Sequence, residues 1–207
     1  GPDRSSPTQL GTDTTWGSSI IMGNYNATVV LKSDGTLWGW GENQSGQLGQ
    51  NNNTSYSSPI QIGTSNNWNS VIIGRDASVG ATVFATNTSN ELWGWGINDY
   101  GQLGETGGTI NTSNKISSPT QLVSGKSWHR VETASGDAMF VKTNDGKIWG
   151  MGNSSGGAFG LNSAFDSVSS PVQVTATADW DAMAYGAGAV YGVKTDGTLW
   201  SWGKNWN

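Results

Sequence analysis

Leu37-Trp38-Gly39-Trp40-Gly41-Glu42-Asn43-Gln44-Ser45-Gly46-Gln47-Leu48-Gly49 decides the fold of this chain. In an extended strand successive side chains point to opposite faces, so both Trp fall on one side and both Gly on the other. One face then offers large apolar area to a neighbouring sheet, and the other lets a second sheet approach closely. The block recurs as Trp93-Gly94-Trp95-Gly96, Trp149-Gly150-Met151-Gly152 and Trp200-Ser201-Trp202-Gly203. The trailing Gly-Gln-Leu-Gly recurs at Gly101–Gly104 and relaxes to Gly157-Ala158-Phe159-Gly160 in the third copy.

Working outward, each block is preceded by a Ser-Ser-Pro-x-Gln segment: Ser5–Gln9, Ser57–Gln61, Ser117–Gln121 and Ser169–Gln173. A Trp follows every one of these Pro at an offset of nine, at Trp16, Trp68, Trp128 and Trp180. Eleven of the 12 Trp and four of the five Pro therefore occupy repeat positions, which chance does not arrange. The repeats are expected to run approximately over 5–56, 57–116, 117–168 and 169–207, in a single domain spanning 1–207, with the last truncated on its motif.

Between these landmarks the apolar pattern alternates with period two, and the breaks are Gly, Asn and Asp-Gly. The first copy predicts strands around Thr8–Gly11, Ser18–Met22, Ala27–Lys32 and Thr36–Gly41. Asp34-Gly35, Asp145-Gly146 and Asp196-Gly197 each sit between two strands and predict type I′ hairpins. Asn90-Glu91 stands there in the second copy, where a looser turn is expected. No helical signature of ten residues or more occurs. The fold class is all-β, and four strands per repeat of this length match the blade of a β-propeller.

The composition agrees. Gly, Ser, Thr and Asn make up close to half the chain, a bias that would suggest disorder were it not for the 12 Trp. A net charge of −5 is the reverse of a nucleic-acid footprint, so no nucleic-acid partner is expected. No apolar run approaches the roughly 18–20 residues of a membrane helix, and no membrane partner is expected. With no Cys there is neither a disulfide framework nor a thiolate metal site.

The Leu-Trp-Gly-Trp-Gly block, the Asn after it, the Gly-Gln-Leu-Gly segment and the upstream Asp-Gly hairpin resemble the regulator of chromosome condensation repeat. The resemblance covers essentially the whole chain and is most specific at Leu37–Gly49. It implies a β-propeller, usually of seven blades. Its known members include an exchange factor for a small GTPase, a plant ultraviolet-B photoreceptor and a secreted β-lactamase inhibitor, so it implies fold more than function. Family members commonly carry a His after a Gly in the third strand. The stretches Gly23–Asn26, Gly74–Ala77, Gly136–Met139 and Gly186–Ala189 have none. That departure and the Asn- and Thr-rich loops point to a bacterial or phage member, with an extracellular or virion-surface location favoured over a nuclear one. Three arrangements stay open: a fragment of a longer array, a ring completed by two chains, and a closed ring of four blades.

Candidate sites are sparse. His129 is the only His and has no nucleophile or orienting acid in any motif. Asp34, Asp145 and Asp196 read as turn residues, and no calcium-loop or phosphate-cradle spacing is present. No catalytic residue, cofactor or metal is expected. Function is expected in variable loops, where Tyr56, Tyr100, Phe165 and Trp206 are the candidate contacts and Glu105–Ser118 is the longest insertion. Trp16, Trp38, Trp40, Trp68, Trp93, Trp95, Trp128, Trp149, Trp180, Trp200 and Trp202 are expected to be structural. The expected role is a non-enzymatic binding or structural module with a protein or glycan partner, and homo-oligomers through open blade edges. The alternatives are an exchange-factor-like regulator and a trimmed repeat scaffold without a ligand.

Overall fold

The computed structural model describes residues 5–16, 20–24, 26–76, 80–104, 115–135, 137–161, 167–186 and 188–204. These build fifteen strands in four antiparallel sheets, each a meander in chain order. The first sheet is β1 (Ile20–Asn24), β2 (Ala27–Leu31), β3 (Leu37–Gly41) and β4 (Tyr56–Gln61). The second is β5 (Trp68–Asp76), β6 (Gly80–Asn87), β7 (Leu92–Ile97) and β8 (Lys115–Val123). The third is β9 (Trp128–Ala134), β10 (Ala138–Thr143), β11 (Ile148–Asn153) and β12 (Ser167–Gln173). The fourth has three strands among the described residues: β13 (Trp180–Gly186), β14 (Ala189–Lys194) and β15 (Leu199–Gly203).

The sheets do not coincide with the sequence repeats. Each of the three later Ser-Ser-Pro-x-Gln segments closes the sheet before it, pairing with the Trp block in one register: Trp38 opposite Gln61, Trp93 opposite Gln121, Trp149 opposite Gln173. The predicted strand at Thr8–Gly11 is therefore absent, and Tyr56–Gln61 is the fourth strand of the first sheet. Proline explains the place. It lacks an N–H for the ladder and is tolerated on an outer edge strand, where that side faces no neighbour.

The hairpins also differ from expectation. Gly35 N–H donates to Lys32 O and Lys32 N–H to Thr36 O, with φ +81° at Gly35. Asp34 is not among the residues with positive φ, so this is a type I turn followed by a left-handed residue rather than type I′. The Asp34 carboxylate accepts from both the N–H and the hydroxyl of Thr36, which rewards the type I geometry. The second sheet makes the same turn, not a looser one. Asn90 N–H donates to Asn87 O, and Asn90 takes φ +61° where the others have Gly. Asn tolerates the left-handed region well enough to stand in.

The core lies between sheets rather than within one. One apolar cluster joins Val29, Leu31, Leu37 and Leu48 of the first sheet to Trp68, Ile73, Val83 and Trp95 of the second. Another joins Phe84, Leu92 and Leu103 to Trp128, Met139, Val141 and Met151. A third joins Phe140, Ile148 and Phe159 to Trp180, Met183 and Val190. The second, third and fourth sheets each present their Trp face to the sheet before. The Trp of the +9 position lies against the block, with Trp16 5.9 Å from Trp38 and 6.2 Å from Trp40, near edge-on. Trp68 repeats this at 5.8 Å from Trp93, and Trp180 at 5.6 Å from Trp202. In the third sheet the second Trp of the block is Met151, fully buried.

The last Gly of the block is obligatory. Gly41, Gly96, Gly152 and Gly203 have φ +101°, +104°, +103° and +93°, and a Cβ at any of them would run into the backbone across the hairpin. This kink releases the chain into the Gly-Gln-Leu-Gly loop. That loop reaches the next sheet: Trp95 Nε1 donates to Gln47 O at 2.9 Å, and Trp202 Nε1 to Ala158 O at 2.8 Å.

Candidate functional site

Most polar residues of the repeat loops are consumed internally. Asn43 accepts from Leu48 N–H and donates to the carbonyls of Asn52 and Thr54, and Asn98 does the equivalent for Leu103 and Gly104. Gln47 and Gln102 accept from the N–H groups of Ser45 and Tyr100. Tyr56 opens β4, packs on the first core cluster and accepts from Asn52 Nδ2, which makes it a structural residue. Tyr100 is exposed at a loop tip and keeps its availability for contact. Phe165, Trp206 and 105–114 of the long insertion lie outside the described residues. His129 is exposed, and its carbonyl accepts from Thr86 Oγ1 across the sheet boundary. Of the predicted contacts, Tyr100 is the one among the described residues that is left exposed.

Comparing the four copies of one corner shows a place the sequence alone did not flag. At the β2–β3 turn and its equivalents, the residue two before the first Trp of the block accepts from that indole. Trp38 Nε1 donates to Thr36 Oγ1, Trp93 Nε1 lies 3.4 Å from Glu91 Oε2, and Trp200 Nε1 donates to Thr198 Oγ1. In the third sheet this residue is Lys147, which has no acceptor. Trp149 Nε1 is accordingly buried without a hydrogen-bond partner.

The cation at this corner also moves. Lys32 sits 5.0 Å from the Trp16 ring and 5.3 Å from Trp38, held by Asp13 at 2.8 Å. Lys194 sits 5.2 Å from Trp180 and 4.8 Å from Trp200, held by Asp179 at 3.0 Å. In the third sheet the equivalent residue is Thr143, too short to reach the rings. Lys126 instead lies 3.7 Å over the Trp149 ring. No carboxylate pairs with it among the described residues. The space left is a cavity of about 340 Å³ lined by Lys126, Ser127, Asn144, Asp145, Lys147 and Trp149, among others.

The charges there are set. Asp145 accepts from Lys147 and Thr143, which hold its carboxyl down to about 2, so it is ionised and neutralised by Lys147 at 2.7 Å. Lys126 remains as the unmatched charge. The corner therefore offers an ammonium and an indole face, while the Asn144 amide already donates to Ser127 Oγ and the unpaired indole N–H is buried. That set suits an oxygen-bearing anion and contains no nucleophile or acid–base pair. Among the described residues no group of three or more His, Cys, Asp or Glu could hold a metal.

The "Regulator of chromosome condensation (RCC1) repeat" matches residues 34–80 and 89–139. Those two stretches are similar to RCC1 repeats. Among curated proteins, the ultraviolet-B receptor UVR8 of Arabidopsis thaliana is 30% identical over 132 residues, 63% of this chain and 28% of that protein. The human E3 ubiquitin-protein ligase HERC2 is 26% identical over 182 residues, 85% of this chain and 4% of that protein. The yeast RCC1 (Prp20) structure bound to Kap60 superposes with a TM-score of 0.75 at 18% identity, over 97% of this chain and 46% of that one. The four sheets are thus RCC1-type propeller blades, and the chain spans about half the length of the solved relative. These relatives are plant, human and yeast proteins and lend no support to the expected bacterial or phage source. The corner of blade 3 is where this chain departs from its own pattern.

Proposed function

We propose that this chain is a non-enzymatic binding module, an RCC1-type propeller array that holds a carboxylate-bearing ligand at the corner of blade 3. The observation that carries the reading is the Lys147 substitution of the indole acceptor, which leaves Trp149 Nε1 unpaired next to Lys126 and a cavity. Leaving a buried donor unmade costs about 1–3 kcal/mol, and the first Trp of the block avoids that cost in the three sister blades, although the +9 indoles of Trp68 and Trp180 are also buried without a partner. A ligand oxygen reaching the indole would recover it, with Lys126 supplying the charge. An acidic protein segment and an acidic glycan share this chemistry.

Screening the 207-residue chain against acidic peptides and acidic glycans, each beside its neutral counterpart, tests the reading and separates the two sources. Binding to one acidic set, lost in Lys126→Ala with the fold retained, is the expected outcome. Equal binding by Lys126→Ala, or no binding to either set, overturns the site. Hydrolysis, group transfer or accelerated nucleotide release from a small GTPase by the pure chain overturns the non-enzymatic assignment.

A further inference from the structure

The four equivalent corners differ in charge as well as in their indole acceptors. Blade 1 sets Lys32 against Asp13 and Asp34, and blade 4 sets Lys194 against Asp179 and Asp196, so each carries one net negative charge. Blade 2 has Glu91 and no cation at 63–67 or 87–91, which again leaves one negative charge. Blade 3 sets Lys126 and Lys147 against Asp145 and carries one positive charge. Lys142 does not add to it, because its Nζ turns to blade 4 and donates to the Trp180 carbonyl at 2.6 Å.

Asp145 holds that balance at one. Lys126, Lys147 and Asp145 all line the cavity of about 340 Å³ beside Trp149. The Lys147 and Asp145 side chains are 39% and 57% exposed, and a solvated pair of this kind gives up little when it opens. Lys147 is therefore free to turn, with Lys126, toward an incoming anion. Asp145 is not, since the Thr143 hydroxyl still donates to it after Lys147 leaves. An anion in the cavity meets two ammonium groups and one fixed carboxylate. Its first negative charge is matched, and a second faces Asp145 unmatched. A carboxylate carries one charge, whereas a phosphomonoester carries about 1.5–2 at pH 7.

The sister aspartates lack this setting. Asp34 and Asp196 accept from the N–H and hydroxyl of Thr36 and Thr198, which serves the turn. Lys147 replaces that Thr in blade 3, and the aspartate beside it comes to border the cavity.

We propose that Asp145 is the specificity-determining residue of the blade 3 corner, admitting a singly presented carboxylate and disfavouring a phosphate. The inference rests on the binding reading above and adds the choice between anions. Selectivity of this kind comes from a placed repulsion as much as from attraction.

The test uses the 207-residue chain and two matched pairs of probes. One pair is a peptide with a single Glu and the same peptide with phosphoserine; the other is a uronic acid and a sugar phosphate. Fluorescence polarisation reads the labelled peptides, and titration calorimetry reads the sugars. The wild-type chain is expected to bind the carboxylate member of one pair more tightly than its phosphate member. Asp145→Asn is expected to strengthen phosphate binding roughly fivefold more than carboxylate binding at low salt. The gain should shrink near 0.5 M salt, because the charges involved are solvated. Asp34→Asn, the same change in the blade 1 turn, should leave the ratio of the two affinities where it was. Equal strengthening of both members by Asp145→Asn overturns the proposal, as does a wild-type preference for phosphate. A ratio that moves equally in Asp34→Asn also overturns it, since the effect is then not local to blade 3. Carboxylate binding that survives Lys126→Ala, or no binding to any probe, overturns the site itself and the selectivity with it.

Discussion

At the scale of residues, small differences between copies of one position carry the information. Lys147 stands where Thr36 and Thr198 accept from a Trp indole and donate to their Asp partners. Lys147→Thr rebuilds that arrangement, and its stability is expected to rise by about 1 kcal/mol, read from denaturant midpoints at unchanged slope. The exposed Lys147–Asp145 pair it gives up is worth less than that. Gly96→Ala acts in the opposite sense. With φ +104° and the Ala81 carbonyl in the way of a Cβ, the variant is expected to lose roughly 1–3 kcal/mol or more.

The turn aspartates set the acid limit. Hydrogen bonds from Thr36 lower Asp34, those from Thr198 lower Asp196, and Lys147 and Thr143 hold Asp145 at about 2. A carboxyl lowered by folding contributes stability that is present above its unfolded value near 4 and lost as pH falls through the folded value. Thermal midpoints should therefore be level above about pH 5 and fall between about pH 4 and pH 2. Asp145→Asn should flatten part of that fall.

At the scale of elements, the Trp block is a two-sided device. Its Gly side accepts Leu48, Leu103 or Phe159 from its own loop, whose side chains lie over Gly39, Gly94 and Gly150. Its Trp side closes on the previous blade, as the Trp95 bond to Gln47 O shows. Trp95→Phe keeps most of the apolar burial and leaves the Gln47 carbonyl without its indole, so a loss of about 1 kcal/mol is expected. Trp128→Ala empties the centre of the blade 2–blade 3 cluster and is expected to cost about 3–5 kcal/mol. Equilibrium unfolding followed by Trp fluorescence measures both. The Ser-Ser-Pro-x-Gln segments were legible as repeats, but their sheet was not. Alternation tells which side a residue faces, and it does not tell which neighbouring strand supplies the hydrogen bonds.

At the scale of the molecule, stability is shared among three inter-blade clusters, each joining neighbours in the chain. A repeat array of this kind loses protection first where an interface or edge is missing. Amide exchange in β15, which among the described residues is paired on its β14 side only, is expected to be at least about tenfold faster than in β7, whose two edges are both paired. Hydrogen exchange with mass spectrometry resolves the two strands.

What the sequence determined by itself was the blade: the Trp-Gly alternation, the Gly that must take positive φ and the Pro that must sit on an edge are local consequences of chirality and strand geometry. What only the tertiary structure decided was membership and matching. Whether Gln61 belongs to the blade before or after it, and whether Trp149 finds an acceptor, depend on which side chain stands across a gap in space. The blade 3 corner was hidden for this reason. Trp149 and Lys147 look ordinary in the chain, and the unpaired indole appears only when four folded copies of one corner are laid over each other.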